Sequence, residues 1–222
     1  MFHIVVDFEF TPIPKSFKYQ RKIIKNELIE IGAVKLDECY RVIDEFSTFV
    51  KPKYSTLDPF CSRLTGITER DLYNAPHFVD AINSFLTWIG NDDYTIYAWS
   101  ETDKEQFCGE CVLNDACNKF EQLYNEEWID LQMEYINIVG LSKSISLERA
   151  LNSLNIFFEG SMHRAADDAY NTASILQSIH NKTEFEKRFK PLQEVINPTL
   201  THTASLGELL GDKLNLLYAL AE

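Results

Sequence analysis

The sequence has 222 residues, of which 45% are hydrophobic and 13% aromatic, and its formal net charge is −13. This composition predicts a folded globular domain rather than a disordered chain. The acidic balance disfavours a protein that wraps long nucleic acid nonspecifically, because such binding depends on neutralised phosphates.

No apolar run approaches the roughly 20 residues of a membrane span, and the first residues lack the pattern of a secretion signal. We therefore expect a cytoplasmic protein without a membrane partner. Its five cysteines do not suggest a disulfide framework in a chain of this size. Cys108 and Cys111 form a C-x-x-C pattern and Cys117 follows, but no second pair supplies the four ligands of a zinc site. We expect reduced thiols with packing or surface roles.

The first predicted strand carries two carboxylates on one face. Apolar residues over 4–6 indicate a buried strand, and Asp7 and Glu9 follow two positions apart. Because side chains alternate across a strand, these two residues point to the same side. Adjacent like charges raise each other's pKa or require a cation between them. The alternative is an exposed strand end at which water solvates both groups.

Residues 12–26 run against the acidic balance of the chain. They contain no acidic residue and five basic ones, which are Lys15, Lys18, Arg21, Lys22 and Lys25. A solvated loop is one explanation of this segment. The other is a local guide for phosphates beside the acidic strand end.

The following segments alternate between strands and helices. Segments 27–36 and 41–50 are partly β-branched and predict two more strands in an antiparallel meander. An amphipathic helix is predicted over 78–89 and a buried strand over 94–99. The remaining predicted elements are a helix from Ser100, a short strand at 128–131, and helices near 133–138, from Ser146 and after His163. This order indicates a mixed α/β layer architecture.

The character of the chain changes after His180. A charged stretch over 182–190 precedes two prolines and a segment whose leucines recur at helical spacing. We expect residues 1–180 to form one domain and residues 181–222 a helical extension. The C-terminal helix is expected to pack on the domain, or to bind a protein partner or a second copy of the chain.

Three further residues can complete an acidic site. Asp103 follows the fourth predicted strand, and His163 lies five residues before Asp168 at the start of a late helix. Each has a simpler explanation. Asp103 could form a capping pattern with Ser100. Asp168, with its neighbour Asp167, could favour the positive end of a helix. His163 could be a solvated loop residue.

The order and spacing of these residues resemble the DEDDh 3′→5′ exonucleases, the DnaQ-like group. Four segments are similar to the branch that contains the KapD-type, enhanced-RNAi and histone-mRNA 3′ exonucleases: Asp7–Thr11, Glu30–Val34, Phe60–Thr68 and Asn74–Pro76. The resemblance covers residues 1–180. It implies an RNase H-like α/β fold, in which helices flank a mixed five-stranded sheet. The first three strands of this sheet are antiparallel.

The resemblance also implies two divalent metal ions, Mg²⁺ or Mn²⁺, for which carboxylate oxygens are suitable ligands. Asp7 would bridge both ions, and Glu9 and Asp168 would complete the shell of the first. Asp103 would hold the second ion through water. A pair of ions about 3.5–4 Å apart stabilises both the attacking and the leaving oxygen. His163 would be the general base, because imidazole accepts protons at cellular pH.

We therefore expect an enzyme that hydrolyses the 3′ end of single-stranded RNA or DNA, with RNA preferred, to nucleoside 5′-monophosphates. Phe10 and Thr11 are expected to contact the last nucleotide through backbone or stacking. Leu64 would wedge near the terminal base and Trp99 would stack on a base; core packing is the alternative for both. For the whole chain, the alternatives are a DNA-directed proofreading subunit, a nucleic-acid-binding regulator that docks a partner, and a structural domain with coincidental acids.

Overall fold

A five-stranded sheet forms the centre of the protein in a computed structural model that describes residues 1–183 and 185–187. The strands are β1 (Phe2–Pro12), β2 (Asn26–Leu36), β3 (Val42–Phe49), β4 (Tyr94–Ala98) and β5 (Trp128–Asp130). Their order across the sheet is β3-β2-β1-β4-β5. β1, β2 and β3 form an antiparallel meander, whereas β4 is parallel to β1 and β5 is parallel to β4. The predicted mixed sheet is confirmed.

Helices cover both faces of this sheet. In chain order they are α1 (Gln20–Ile23), α2 (Pro59–Thr65), α3 (Glu69–Tyr73), α4 (Phe78–Ile89), α5 (Glu101–Leu113), α6 (Glu121–Asn125), α7 (Leu131–Val139), α8 (Leu147–Ser153) and α9 (Ala165–His180). α7 starts directly after β5, because the Asp130 carboxylate caps it by accepting the Met133 N–H at 2.8 Å. None of the helices in the described part of the chain combines the length and the hydrophobicity needed to cross a membrane.

β1 lies at the middle of the core because its apolar side chains point into both layers. Ile4 and Val6 belong to the apolar cluster that includes residues of α4 and α5. Val5 belongs to the opposite cluster, which includes residues of α7, α8 and α9. All three are fully buried. A strand covered on both faces holds its following residues firmly, and those residues include Asp7 and Glu9.

The first residues of α9 lie against β2 at Gly32. A Cβ atom at Gly32 would lie 2.0 Å from the carbonyl carbon of Ala165. No side chain larger than hydrogen fits such a contact, so glycine is required for the close approach of the helix. Because Gly32 is the register partner of Asp7, this contact places the start of α9 beside the acidic end of β1.

The structure describes the basic segment and all five cysteines but not the predicted helix of the C-terminal extension. The basic segment 12–26 contains the single helical turn α1 and is ordered by contacts described below. All five cysteines are free thiols, and Cys108 and Cys111 lie on α5. The predicted leucine-rich helix of the extension lies outside the described residues.

Candidate active site

Asp7 and Glu9 lie where β1 extends beyond its parallel neighbour β4. Burial is the main cause that raises the pKa of Asp7 well above its usual value, and the charge of Asp103 is the next. Burial, followed by the charge of Asp168, raises the pKa of Glu9 to about 8. Water therefore does not fully solvate either carboxylate, and the alternative of an exposed strand end is wrong.

Asp103 reaches the same place from the first turn of α5. Its Oδ1 accepts a hydrogen bond from the backbone N–H of Phe8 at 3.1 Å. β4 pairs with β1 only as far as Val6, so the carboxylate replaces a missing strand partner. Burial raises the pKa of Asp103 to about 7, and the Phe8 N–H partly offsets this effect. The Ser100 hydroxyl caps α5 by accepting the Thr102 N–H at 3.3 Å, and the capping alternative for Asp103 is wrong.

Asp168 extends from the first turn of α9, just after the loop that carries His163. Potential ligand atoms of Glu9, His163 and Asp168 lie within 4.8 Å of one another. Burial raises the pKa of Asp168 to about 6, although a hydrogen bond from the His163 backbone N–H lowers it. His163 is exposed and has a left-handed backbone with φ of 63°, which is uncommon for a residue other than glycine. The loop therefore holds an accessible imidazole against two carboxylates.

The neighbouring Asp167 has a different role from Asp168. Its Oδ2 accepts the Ser161 N–H at 2.8 Å, and its carbonyl accepts a hydrogen bond from the Asn171 amide at 2.8 Å. The first of these bonds closes the turn that precedes His163, and the second lies within α9. Asp167 thus orders the loop, whereas Asp168 faces the other acids.

Glu30 fixes the start of α9 from inside the sheet. It lies on β2 with 0% exposure and accepts hydrogen bonds from Arg164, at 2.8 Å from Nη2 and 3.2 Å from Nε. The Ala165 N–H also donates to Glu30 Oε2 at 3.1 Å. Sequence reasoning missed this pair. A charged residue inside an apolar strand is nevertheless a signal, because a buried carboxylate requires partners.

Residues 4–176 match the profile of the family described as exonuclease. The chain belongs to the exonuclease family. The resemblance to DEDDh 3′→5′ exonucleases is confirmed, and with it the interpretation of the chain as a phosphodiester hydrolase.

The relatives of this exonuclease include bacterial and animal proteins. The probable 3′-5′ exonuclease KapD of Bacillus subtilis is 28% identical over 209 residues, which cover 93% of the exonuclease and 95% of KapD. The human 3′-5′ exoribonuclease 1 is 27% identical over 181 residues, which cover 77% of this chain but only 50% of the human protein. The nuclease domain of 3′hExo, a DEDDh family member bound to rAMP, has the same fold. Its TM-score is 0.64 at 23% identity, covering 82% of this chain and 92% of that domain.

Two of the predicted substrate contacts of the exonuclease are accessible. Leu64 lies on α2 with 41% of its surface exposed, so the core-packing alternative for Leu64 is wrong. Phe10 is half-buried and follows a break in the β1–β2 register after Glu9. Contact of these two residues with a nucleotide stays a prediction.

The side chains of Thr11 and Trp99 do not face the site. Thr11 is fully buried, and its hydroxyl accepts the Asp58 N–H at 2.9 Å and donates to the Thr56 carbonyl at 3.2 Å. A side-chain contact of Thr11 with substrate is therefore wrong, and only its backbone remains available.

Trp99 is 9% exposed and packs 6.4 Å from the ring of Tyr135, measured between centroids. The prediction that Trp99 stacks on a base is wrong, and its core-packing alternative is correct. The surrounding apolar cluster on the α7–α9 side of the sheet already covers the indole.

Proposed function

We propose that this protein is a divalent-metal-dependent exonuclease that shortens single-stranded nucleic acid from its 3′ end, with RNA preferred. The observation that carries the proposal is the convergence of four carboxylates, contributed by β1, α5 and α9, beside the imidazole of His163. Buried acids that raise one another's pKa form a site at which bound cations stabilise the ionised state.

The residues fit a site for divalent cations. Carboxylate oxygens are the ligands that Mg²⁺ and Mn²⁺ prefer. Two ion pairs form within residues 1–183 and 185–187, and neither involves Asp7, Glu9, Asp103 or Asp168. When bound, the cations supply the positive charge that stabilises the phosphate oxygens in the transition state. Two ions are proposed: Asp7 would contribute ligand oxygens to both, Glu9 and Asp168 would help hold the first, and Asp103 would help hold the second.

His163 is proposed to accept a proton from the attacking water at a ring nitrogen. Its exposed side chain lies where both water and a strand end can enter. The water oxygen forms a bond to the terminal phosphorus, the bond from phosphorus to the 3′ oxygen of the preceding nucleotide breaks, and that oxygen takes up a proton from the solvent. The products are a nucleoside 5′-monophosphate and a strand with a new 3′-hydroxyl.

The preference for RNA is supported by the relatives. The human relative is named an exoribonuclease, and the nuclease domain of 3′hExo was solved with rAMP. A regulator without activity is not favoured, because the full acidic set is present. A DNA-directed proofreading subunit is not favoured, because the human relative is named an exoribonuclease.

The test is the digestion of 5′-labelled RNA and DNA oligomers of equal sequence with Mg²⁺ or Mn²⁺, and again with EDTA. We expect 3′-shortened ladders, 5′-monophosphates as products and faster RNA cleavage. Asp7→Asn should abolish the ladder, whereas Glu45→Gln, on the exposed face of β3, should not. Activity that persists in EDTA or in Asp7→Asn would contradict the mechanism, and equal rates on both sugars would contradict the RNA preference.

We also infer that residues 1–180 are the exonuclease domain. This inference is supported by the end of α9 at His180 and by the end of the family match at residue 176. Docking of a protein partner or a second copy through the 181–222 extension stays a prediction, as does a cytoplasmic location. Deletion of residues 200–222 tests docking, since an unchanged mass in light scattering and unchanged partner capture would contradict it.

A further inference from the structure

A second surface lies beside the acid cluster and takes no part in the chemistry proposed above. We call residues 13–25 the basic arm. Its exposed side chains alternate in kind: Lys15, Lys18 and Lys22 are charged, while Phe17 and Tyr19 are aromatic and are 36% and 72% exposed. Cationic groups mixed with aromatic rings are typical of surfaces that bind single-stranded nucleic acid.

The basic arm has a fixed shape. Its first residue, Ile13, is 1% exposed and donates its N–H to the Lys25 carbonyl at 2.9 Å, which closes the base of the arm. The Arg21 guanidinium donates to the Ile13 carbonyl. Ile24 packs so closely on α5 that a Cβ at Gly109 would lie 2.4 Å from it. The exposed lysines therefore extend from an ordered backbone rather than from a solvated loop, which reduces the entropy that a ligand must remove.

The arm continues into the segment that precedes α2. The rings of Phe17 and Tyr54 meet edge to face with centroids 5.6 Å apart, and Lys53 Nζ lies 5.4 Å from the Tyr54 ring. The buried carboxylate of Glu27 fixes this segment by accepting the Lys53 N–H at 2.7 Å and the Ser55 hydroxyl at 2.6 Å. Glu27 points inward to these groups, and within residues 1–183 and 185–187 it forms no ion pair with a lysine of this surface.

The same segment connects the arm to the acid cluster. Thr11, two residues after Glu9, is hydrogen-bonded to Thr56 and Asp58 on either side of the turn into α2. On α2, Cys61 lies near enough to Glu9 for that charge to contribute to its raised pKa, after burial and Asp58. Phe60 and Leu64 are exposed on this helix at 63% and 41%. Hydrogen bonds and ring packing thus connect the acidic end of β1, the turn before α2 and the arm.

The charge of this surface is opposite to that of the whole chain. The net charge is −13, and neither ion pair within the described ranges 1–183 and 185–187 includes a residue of the arm or Lys53. Unpaired cations at the edge of an acidic protein attract a polyanion to that edge alone.

We propose that the basic arm and residues 53–54 bind the 5′-ward nucleotides of the strand whose 3′ end lies at the acid cluster. Lysines contact phosphates, and exposed rings stack on bases, over a stretch on the order of four nucleotides or more. This inference rests on the proposed function and specifies its substrate as a strand long enough to reach the arm. Dinucleotides reach the acids but not the arm.

The test compares a dinucleotide with a single-stranded 12-mer. The variant is Lys15→Gln/Lys18→Gln, and the matched control is Lys119→Gln/Lys143→Gln, which removes two exposed lysines elsewhere. The arm variant should lower the ratio of kcat/KM for the 12-mer to that for the dinucleotide about tenfold. It should also reduce the slope of log affinity against log salt by about 1.4, since each phosphate contact on a single strand contributes about 0.7. The control should change neither quantity.

A second variant and a binding assay keep this test independent of turnover. Tyr19→Ser should weaken binding of the labelled 12-mer in fluorescence anisotropy about 5- to 150-fold, which is the contribution of one stacked base. An unchanged ratio and unchanged anisotropy would overturn the proposal, as would equal losses on the dinucleotide and the 12-mer. If the wild type cleaves nothing, the proposed function fails, and anisotropy still decides whether the arm binds the strand.

Discussion

Replacement of Glu9 by glutamine is expected to stabilise the protein when no metal ion is bound. Burial and the charge of Asp168 raise the pKa of Glu9 from 4.5 to about 8. The folded protein therefore holds this proton more tightly than the unfolded chain does. The stability that this proton contributes is present in full below about pH 4.5 and is lost as the pH rises through about 8. Glutamine keeps the shape of the neutral acid and never becomes charged.

The magnitude follows from the difference between the two pKa values. The pKa of Glu9 rises from 4.5 to about 8 on folding. Each tenfold change in proton affinity corresponds to about 1.36 kcal/mol, so the upper limit of the effect on the free energy of unfolding is about 5 kcal/mol. Glu9 is only partly buried, so solvent screening reduces the expected effect to about 2 kcal/mol. For a chain of this size, about 2 kcal/mol corresponds to a rise in Tm of about 4–8 °C.

The assay is thermal unfolding in EDTA at pH 8.5 and pH 5, followed by circular dichroism. Glu9→Gln should have the higher Tm at pH 8.5. At pH 5 its Tm should be close to that of the wild type, because this pH is only just above the unfolded-chain pKa of 4.5 and little of the effect has developed. Excess Mn²⁺ should raise the Tm of the wild type more than that of the variant, because the ionised Glu9 carboxylate then serves as a ligand of the cation. Glu45→Gln is the matched control. A Tm that is unchanged or lower at pH 8.5 in EDTA would refute the reasoning.

Three other substitutions test the proposed general base His163, the buried pair of Glu30 and Arg164, and the contact of α9 with Gly32. His163→Ala should lower kcat about 10²–10⁴-fold and leave the Mn²⁺ affinity measured by calorimetry nearly unchanged. Arg164→Met should lower the free energy of unfolding by about 3 kcal/mol, because the buried carboxyl group of Glu30 loses its guanidinium partner. Gly32→Ala should lower it by about 3 kcal/mol or more, since its Cβ meets the Ala165 backbone. Urea unfolding measures both.

Each expectation has an outcome that contradicts it. Loss of Mn²⁺ affinity in His163→Ala would make this residue a ligand rather than a base. If Glu30→Gln combined with Arg164→Met is no more stable than Arg164→Met alone, the unpaired carboxyl group is not the cause. Wild-type stability of Gly32→Ala would mean that α9 does not lie as close to β2 as described. Gly90→Ala is not a suitable control, because Gly90 has a φ of 84°.

The parts of the site that could be predicted are those in which the chemistry is local. The spacing of Asp7 and Glu9 on a strand gives a common face from the alternation of side chains alone. The mixed α/β layers followed from the order of strand and helix patterns, whereas the five-stranded mixed sheet was implied by the family resemblance. That Asp103 and Asp168 reach the same point was inferred from the family resemblance, because no local pattern measures a distance between residues so far apart in sequence.

The predictions that were wrong or missed depend on tertiary contacts. Trp99 and Leu64 both had two interpretations, and only packing against Tyr135 or exposure on α2 decides between them. The bond between Glu30 and Arg164 joins residues 134 positions apart. It could not be found from periodicity, which reports the buried face of an element but not what lies across from it.

The hydrogen bond from the Phe8 N–H to Asp103 bears on how a substrate complex should be trapped. Removal of this carboxylate would leave a buried backbone donor in the central strand without an acceptor. An inactive enzyme made by Asp103→Ala would therefore combine a folding defect with the chemical one, and any loss of oligonucleotide affinity would be ambiguous. Asp7→Asn or His163→Ala is the better choice for crystallising the exonuclease with an uncut strand.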